Sequence, residues 1–224
     1  VDAGLGANYA GVDGNGLLSQ INVNGEAAVN LGTLVRIDGS DDTALTNAFT
    51  LNGNGETTAI LGEASANGAL RTSTLEAGST WQFDNVDLTV TSDVIFQGDP
   101  GETTSLFGNN GSWTLTDGFG IDNDLTDITI ALSNVFVTIE GEVDLTDATL
   151  AFVNVEIFVP EGSTLILTVD QVKALALGGT HIYGEGTTEI IGDGTNEVDD
   201  LTTASFRQEI DTVNIDISGV TLDT

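Results

Sequence analysis

The chain has 224 residues, with 35 acidic side chains against four basic ones and a formal net charge of −31. Arg36, Arg71, Lys173 and Arg207 cannot form a basic patch; this excludes a binder of nucleic-acid phosphates and disfavours an anionic membrane surface. Cysteine is absent, so neither disulfide staples nor thiol chemistry can operate.

Self-repulsion at this charge points to saline surroundings, or to cations such as Ca²⁺, as a condition of stability. No apolar run approaches the ~20 residues needed to cross a bilayer as a helix, so no membrane insertion is expected. A chain without methionine that begins at Val1 fits a mature, processed protein and an excised fragment equally. The length suits one large β domain spanning 1–224. Within it, residues 1–70 are richer in Gly, Ala and Asn and read as a looser N-terminal part or cap.

In chain order, the first ordered signals are short apolar runs, at residues 31–37 and around Ile21-Asn22-Val23-Asn24. The first strand between glycine turns is Gly55-Glu56-Thr57-Thr58-Ala59-Ile60-Leu61-Gly62. Its pattern returns at Gly101-Glu102-Thr103-Thr104-Ser105-Leu106-Phe107-Gly108 and, more loosely, at residues 184–192. Trp81 and Trp113 each follow a Gly-Ser segment, as if they were equivalent positions of a repeat. Both suit a core role better than an exposed sugar platform. The segments Leu88-Thr89-Val90-Thr91 and Trp113-Thr114-Leu115-Thr116 carry alternating threonines that would form flat rows on a sheet.

The clearest signal follows. Residues 125–139 and 145–159 are two copies of one sentence, identical at seven of fifteen positions. Each reads as period-two apolar residues broken at Asn, which is strand, turn, strand. A fixed period of strand-forming residues marks a solenoid. The expected fold is therefore all-β, a parallel β-helix (β-solenoid) with ~20-residue rungs and one or two short helices. The repeated motif, apolar-x-Asn-Val, also fits Phe83-Asp84-Asn85-Val86. Asn tolerates the left-handed backbone of a sharp corner, so Asn85, Asn134 and Asn154 are expected to stack as a ladder. Ile21-Asn22-Val23 and Val213-Asn214-Ile215 are weaker echoes. The two helical stretches are 171–177, with Asp170 placed to cap it, and 204–210 behind Thr202 or Thr203. One of them could plug an end of the solenoid.

Chemistry is harder to find. His181 is the lone histidine, set beside strand residues. G-x-S-x-G, phosphate-loop and dinucleotide fingerprints do not occur. Glycoside hydrolysis needs two carboxylates facing one cleft; Asp41-Asp42 and Asp199-Asp200 are adjacent pairs, but among 35 acids such pairs arise by chance. Two acidic turns offer hard oxygens to Ca²⁺: one with Asp122, Asp124 and Asp127, the other with Asp193, Asn196 and Asp199. Neither matches an EF-hand or the nonapeptide of calcium-loaded β-rolls.

Residues 162–172 and 184–190 combine a Thr-rich strand, a short Asp-Gln turn and a G-x-G-T-x-x-[IV] strand. This resembles repeats of very large bacterial extracellular surface and biofilm adhesins. The resemblance covers about thirty residues and implies an extracellular, cell-surface, repetitive and non-enzymatic module.

The function expected is thus a structural subunit of an extracellular bacterial fibre, sheath or surface layer. It would assemble with copies of itself by end-to-end or strand-addition contacts. The C-terminal strand, with Val213, Ile215, Ile217 and Val220 on it, is the expected assembly strand. The alternatives are a carbohydrate-active enzyme and a sugar- or ice-binding module on the same fold. A carboxylate-lined cleft would favour the enzyme. Threonine rows at matching positions on several rungs would favour the binding module.

Overall fold

Strand side chains alternate between opposite faces, so a chain that stacks its turns in parallel register places like positions above one another. The computed structural model, which describes residues 20–34, 48–66, 69–76, 78–97, 101–192 and 212–216, has this architecture. Among the described residues it is a succession of parallel strands forming a β-solenoid of about six turns, with one short helix.

Each turn crosses three faces. The first described turn contributes β1 (Gln20–Asn22) and β2 (Val29–Thr33). The second has β3 (Ala48–Leu61), a side hairpin of β4 (Glu63–Ala66) and β5 (Ala69–Thr72), and β6 (Thr74–Glu76). The third has β7 (Thr80–Val90) and β8 (Ile95–Gln97), and the fourth β9 (Thr104–Leu115). The fifth has β10 (Ile128–Ile139) and β11 (Glu142–Asp144). The sixth has β12 (Thr149–Val153), β13 (Glu156–Phe158) and β14 (Thr164–Thr168). Then come α1 (Val169–Leu177), β15 (His181–Tyr183), β16 (Thr187–Ile191) and β17 (Thr212–Asp216). Long strands such as β7 and β10 bend midway; their first halves build the first face and their second halves the second. The third face carries β11, β14, β16 and β17 in that order.

The two repeat copies lie on adjacent turns, with Thr129 beside Thr149 and Phe136 beside Glu156. That turn is 20 residues long; the neighbouring ones run to 24 and 25, judged by the pairs Leu106–Ile130 and Trp81–Leu106. The three Gly-Glu-Thr-Thr-like segments do not stack. Thr57–Leu61 lies on the second face, Thr104–Gly108 on the first and Thr187–Ile191 on the third. They share instead a positive-φ glycine two or three residues before the paired segment: Gly55, Gly101 and Gly184 have φ of 87°, 95° and 127°.

The core is the column of inward positions. On the first face Phe49, Trp81, Leu106, Ile130 and Leu150 stack in register, all buried. Trp113 instead belongs to the second face, beside Leu88 and Val137, so the two tryptophans are not equivalent positions. The apolar run on both faces simply requires large fillers at different heights. Space for Trp113 comes from Gly108, where a Cβ would come within 2.7 Å of its ring and of Leu132. Phe83 sits between the two indoles, with ring centroids 6.3 Å from Trp81 and 5.9 Å from Trp113.

The helix α1 replaces the first-face strand on the last turn and packs Val169, Val172 and Leu175 inward beside β12. Its cap is Thr168 rather than the expected Asp170. Thr168 Oγ1 accepts from Gln171 N at 3.2 Å, and Gln171 Oε1 accepts from Thr168 N at 2.8 Å. A threonine three residues before a glutamine closes both bonds of this reciprocal box; Asp170 lies two residues past the cap, inside the first helical turn, and pairs with Lys173 at 3.8 Å. Gln171 also reaches across to the carbonyls of Leu145 and Ala148, the latter at 2.7 Å, which ties the helix to the preceding turn. The expected helix at 204–210 lies outside the described residues.

Phe83→Ala would empty the centre of the aromatic stack. We expect a loss of about 3–5 kcal/mol in urea unfolding; a loss below about 1 kcal/mol would show that Phe83 does not occupy a packed interior.

Candidate functional site

The solenoid's distinctive local geometry is its corner between the first and second faces. Asn85, Asn134 and Asn154 all sit there in the left-handed region, with φ of 55°, 53° and 53°. The register inserts a fourth member that lacks the apolar-x-Asn-Val motif, Asn110 with φ 51°, which aligns between Asn85 and Asn134. Its signal was hidden: Asn110 is followed by Gly111 rather than Val, since a Cβ there would strike the Val86 backbone. The next turn places Gly179 (φ 74°) above Asn154, whose backbone N–H donates to Gly178 O at 2.9 Å. The column therefore needs a residue that accepts positive φ, and Asn and Gly are those residues.

The amides contribute less. Asn154 Nδ2 donates to Asn134 Oδ1 at 3.5 Å, the outer limit of a hydrogen bond, and both side chains are exposed. The echoes at Asn22 and Asn214 lie elsewhere. Asn22 aligns with Asn52 and through it with Asp84, one residue before the corner; Asn214 pairs with Glu189 on the third face.

The acidic turn at 122–127 is used architecturally. Asn123 Nδ2 donates to Ser92 O at 2.7 Å and also to Val94 O, pinning the turn to an earlier one. Asp124 Oδ1 accepts from Thr126 N at 2.9 Å. The backbone N–H of Thr126, and then its side-chain hydroxyl, hold the Asp124 carboxyl below the ordinary carboxylate range. Its folded-state pKa lies below the unfolded value, so its stabilising effect is present above that value and fades as pH falls through the folded one. Asp127 takes the left-handed φ of 62°, and its Oδ2 accepts from Gly101 N at 3.1 Å. Asp122 lies close to Gly118. Among the described residues, no three His, Asp or Glu side chains converge to hold a metal ion. Asp193, Asn196 and Asp199 lie outside the described residues.

The outward positions form hydroxyl columns. The first face carries Thr80, Ser105, Thr129 and Thr149 in register. The second carries Thr89, Thr114 and Thr138, and the third Thr164, Thr187 and Thr212. Rungs stack about 4.8 Å apart, so each column is a regular ladder of hydroxyls. On the second face the ladder borders an open groove of about 190 Å³, lined by Asn30, Thr58, Ile60, Asp87, Ser112 and the threonines 89 and 114. Beyond it lie Phe136, Phe158 and Tyr183, with Tyr183 ring centroids 6.5 Å and 5.5 Å from the two phenylalanines. His181 stands beside Glu156 in the neighbouring column of this face.

Of the assembly-strand residues, Val213 is exposed on β17 and Ile215 belongs to the same strand. Ile217 and Val220 lie outside the described residues. Comparison with known proteins finds no matching family model, no matching curated protein and no matching solved structure.

The corner column makes a two-sided prediction. Asn154→Ala should cost about 1–2 kcal/mol, the strain of a Cβ residue in the left-handed region, whereas Asn154→Gly should be near neutral in urea unfolding. Equal losses for both variants would show that the side-chain amide, not the backbone, holds the corner.

Proposed function

We propose that this chain is a non-enzymatic structural module of an extracellular bacterial fibre, sheath or surface layer, assembling with copies of itself. The observation that supports it is the way the turns are joined: each is held to the next by parallel, in-register backbone pairing, and such pairing continues wherever another strand is offered. Among the described residues β17 ends the third-face sheet, paired to β16 along Thr187–Thr212 through Ile191–Asp216. Adding a copy there is a heterologous contact, which propagates as a filament unless the rotation closes. The likeness of residues 162–172 and 184–190 to surface-adhesin repeats, and the charge of −31, fit the same setting. Repulsion between such chains opposes contact, so salt or Ca²⁺ should promote it.

A second reading, a binding module, is favoured by the aligned threonine columns. Flat hydroxyl ladders can face a repetitive ligand such as a polysaccharide or ice.

Sedimentation and electron microscopy at rising salt test the assembly. We expect filaments or sheets above about 0.1 M salt, where the Debye length falls to about 10 Å. In a strand, successive N–H groups face opposite sides, and proline is tolerated where its missing N–H would face outward. One of the variants Val213→Pro and Asn214→Pro should therefore stay folded and stop assembling. A parent that remains monomeric at high concentration with salt and Ca²⁺ would refute the proposal.

A further inference from the structure

We propose that the outer surface of the second face binds a neutral polysaccharide chain laid along the solenoid axis, with the groove as its polar subsite and Phe136 as its stacking platform. This rests on the binding-module reading and names its ligand class.

Three observations converge. The groove presents an amide, hydroxyls and one carboxylate from successive turns: Asn30, Thr58, Asp87, Thr89, Ser112 and Thr114. Such a mixture of donors and acceptors matches the hydroxyl-rich edge of a sugar ring, and about 190 Å³ leaves room for one ring. Next to it in register, Phe136 follows Ser112 and is 39% exposed. With Phe158 and Tyr183 it forms an aromatic cluster flanking the polar stretch. An exposed aromatic beside ordered polar groups suits the apolar face of a pyranose.

Charge selects the ligand. Among the described residues, the two outward columns of this face contain Asp87, Glu156 and His181 but neither Lys nor Arg, so an anionic glycan would meet two carboxylates without a lysine or arginine to offset them. Ice is the poorer match. A crystal lattice asks for an unbroken array, and here the threonine column gives way to Phe158 and Tyr183 while Asp87 and Phe136 interrupt its neighbour. A polymer chain needs only a line of contacts, and the rungs supply one at about 4.8 Å intervals.

The test is native affinity electrophoresis of the whole chain in gels containing soluble mixed-linkage β-glucan, xyloglucan or galactomannan, with polygalacturonate as the anionic comparison. Retardation by at least one neutral glycan is expected. Phe136→Ala should weaken it by about tenfold, a loss near 1.4 kcal/mol. Thr114→Val, which keeps side-chain shape and removes one groove hydroxyl, should weaken it as well. Thr149→Val on the first face should leave it unchanged. Circular dichroism confirms that each variant is folded. No retardation by any neutral glycan, retardation insensitive to Phe136→Ala and Thr114→Val, or preference for polygalacturonate would each overturn the proposal. Inhibition of ice recrystallisation without glycan retardation would overturn it too, while leaving the binding-module reading in place. Sedimentation of the same samples reports separately on self-assembly.

Discussion

Parallel, in-register pairing between successive turns is the constraint on which the rest of the molecule depends. Once Ile130 lies beside both Leu106 and Leu150, every second residue is committed to the interior and every other to the surface. A slip by one residue would turn the apolar set outward. The interior columns therefore hold Trp81, Phe83, Trp113 and a run of Leu, Ile and Val, while the exterior columns hold threonines, carboxylates and a few exposed apolar side chains such as Phe107 and Phe136. The corner at Asn85, Asn110, Asn134, Asn154 and Gly179 serves the same constraint: it turns the chain at one height on each rung, so that both flanking strands stay in register.

What was legible in the sequence follows from where the rungs are uninterrupted. The 20-residue turn between Asn134 and Asn154 has no insertion, so its two copies align by eye and reveal the solenoid. The other turns hide the same geometry. A hairpin, β4–β5, interrupts the second turn. In β3 the corner widens to Gly53-Asn54-Gly55-Glu56, where Asn54 bonds to Gly25 O and Ala27 O instead of taking the single left-handed step. On the last turn a helix stands in for a strand. Similarity between short segments was misleading for a physical reason: any strand segment preceded by a positive-φ glycine looks alike, whichever face it builds.

The surface was less legible than the core. Which threonines share a column depends on turn lengths of 20, 24 and 25 residues, and these cannot be read from local alternation. The meeting of Phe136 with Tyr183 joins residues on different turns, with a helix between them. In the acidic turn, Asn123, Asp124 and Asp127 each spend an oxygen or amide on the backbone of the turn or its neighbours, roles that composition does not reveal. In a chain of charge −31, carboxylates that cap turns and carboxylates that only solvate the surface look the same in sequence.

The stacking itself can be measured directly, because the absence of cysteine lets spin labels be placed at will. Ala48 and Thr149 are exposed and occupy one first-face column, separated by the turns of Thr80, Ser105 and Thr129. Labels on cysteines introduced at these two positions should give, by pulsed dipolar spectroscopy in a magnetically dilute sample, one narrow distance distribution. Its centre should correspond to four rung steps, about 19 Å between backbones plus the label tethers. A broad distribution, or one centred well beyond that distance, would contradict an in-register solenoid.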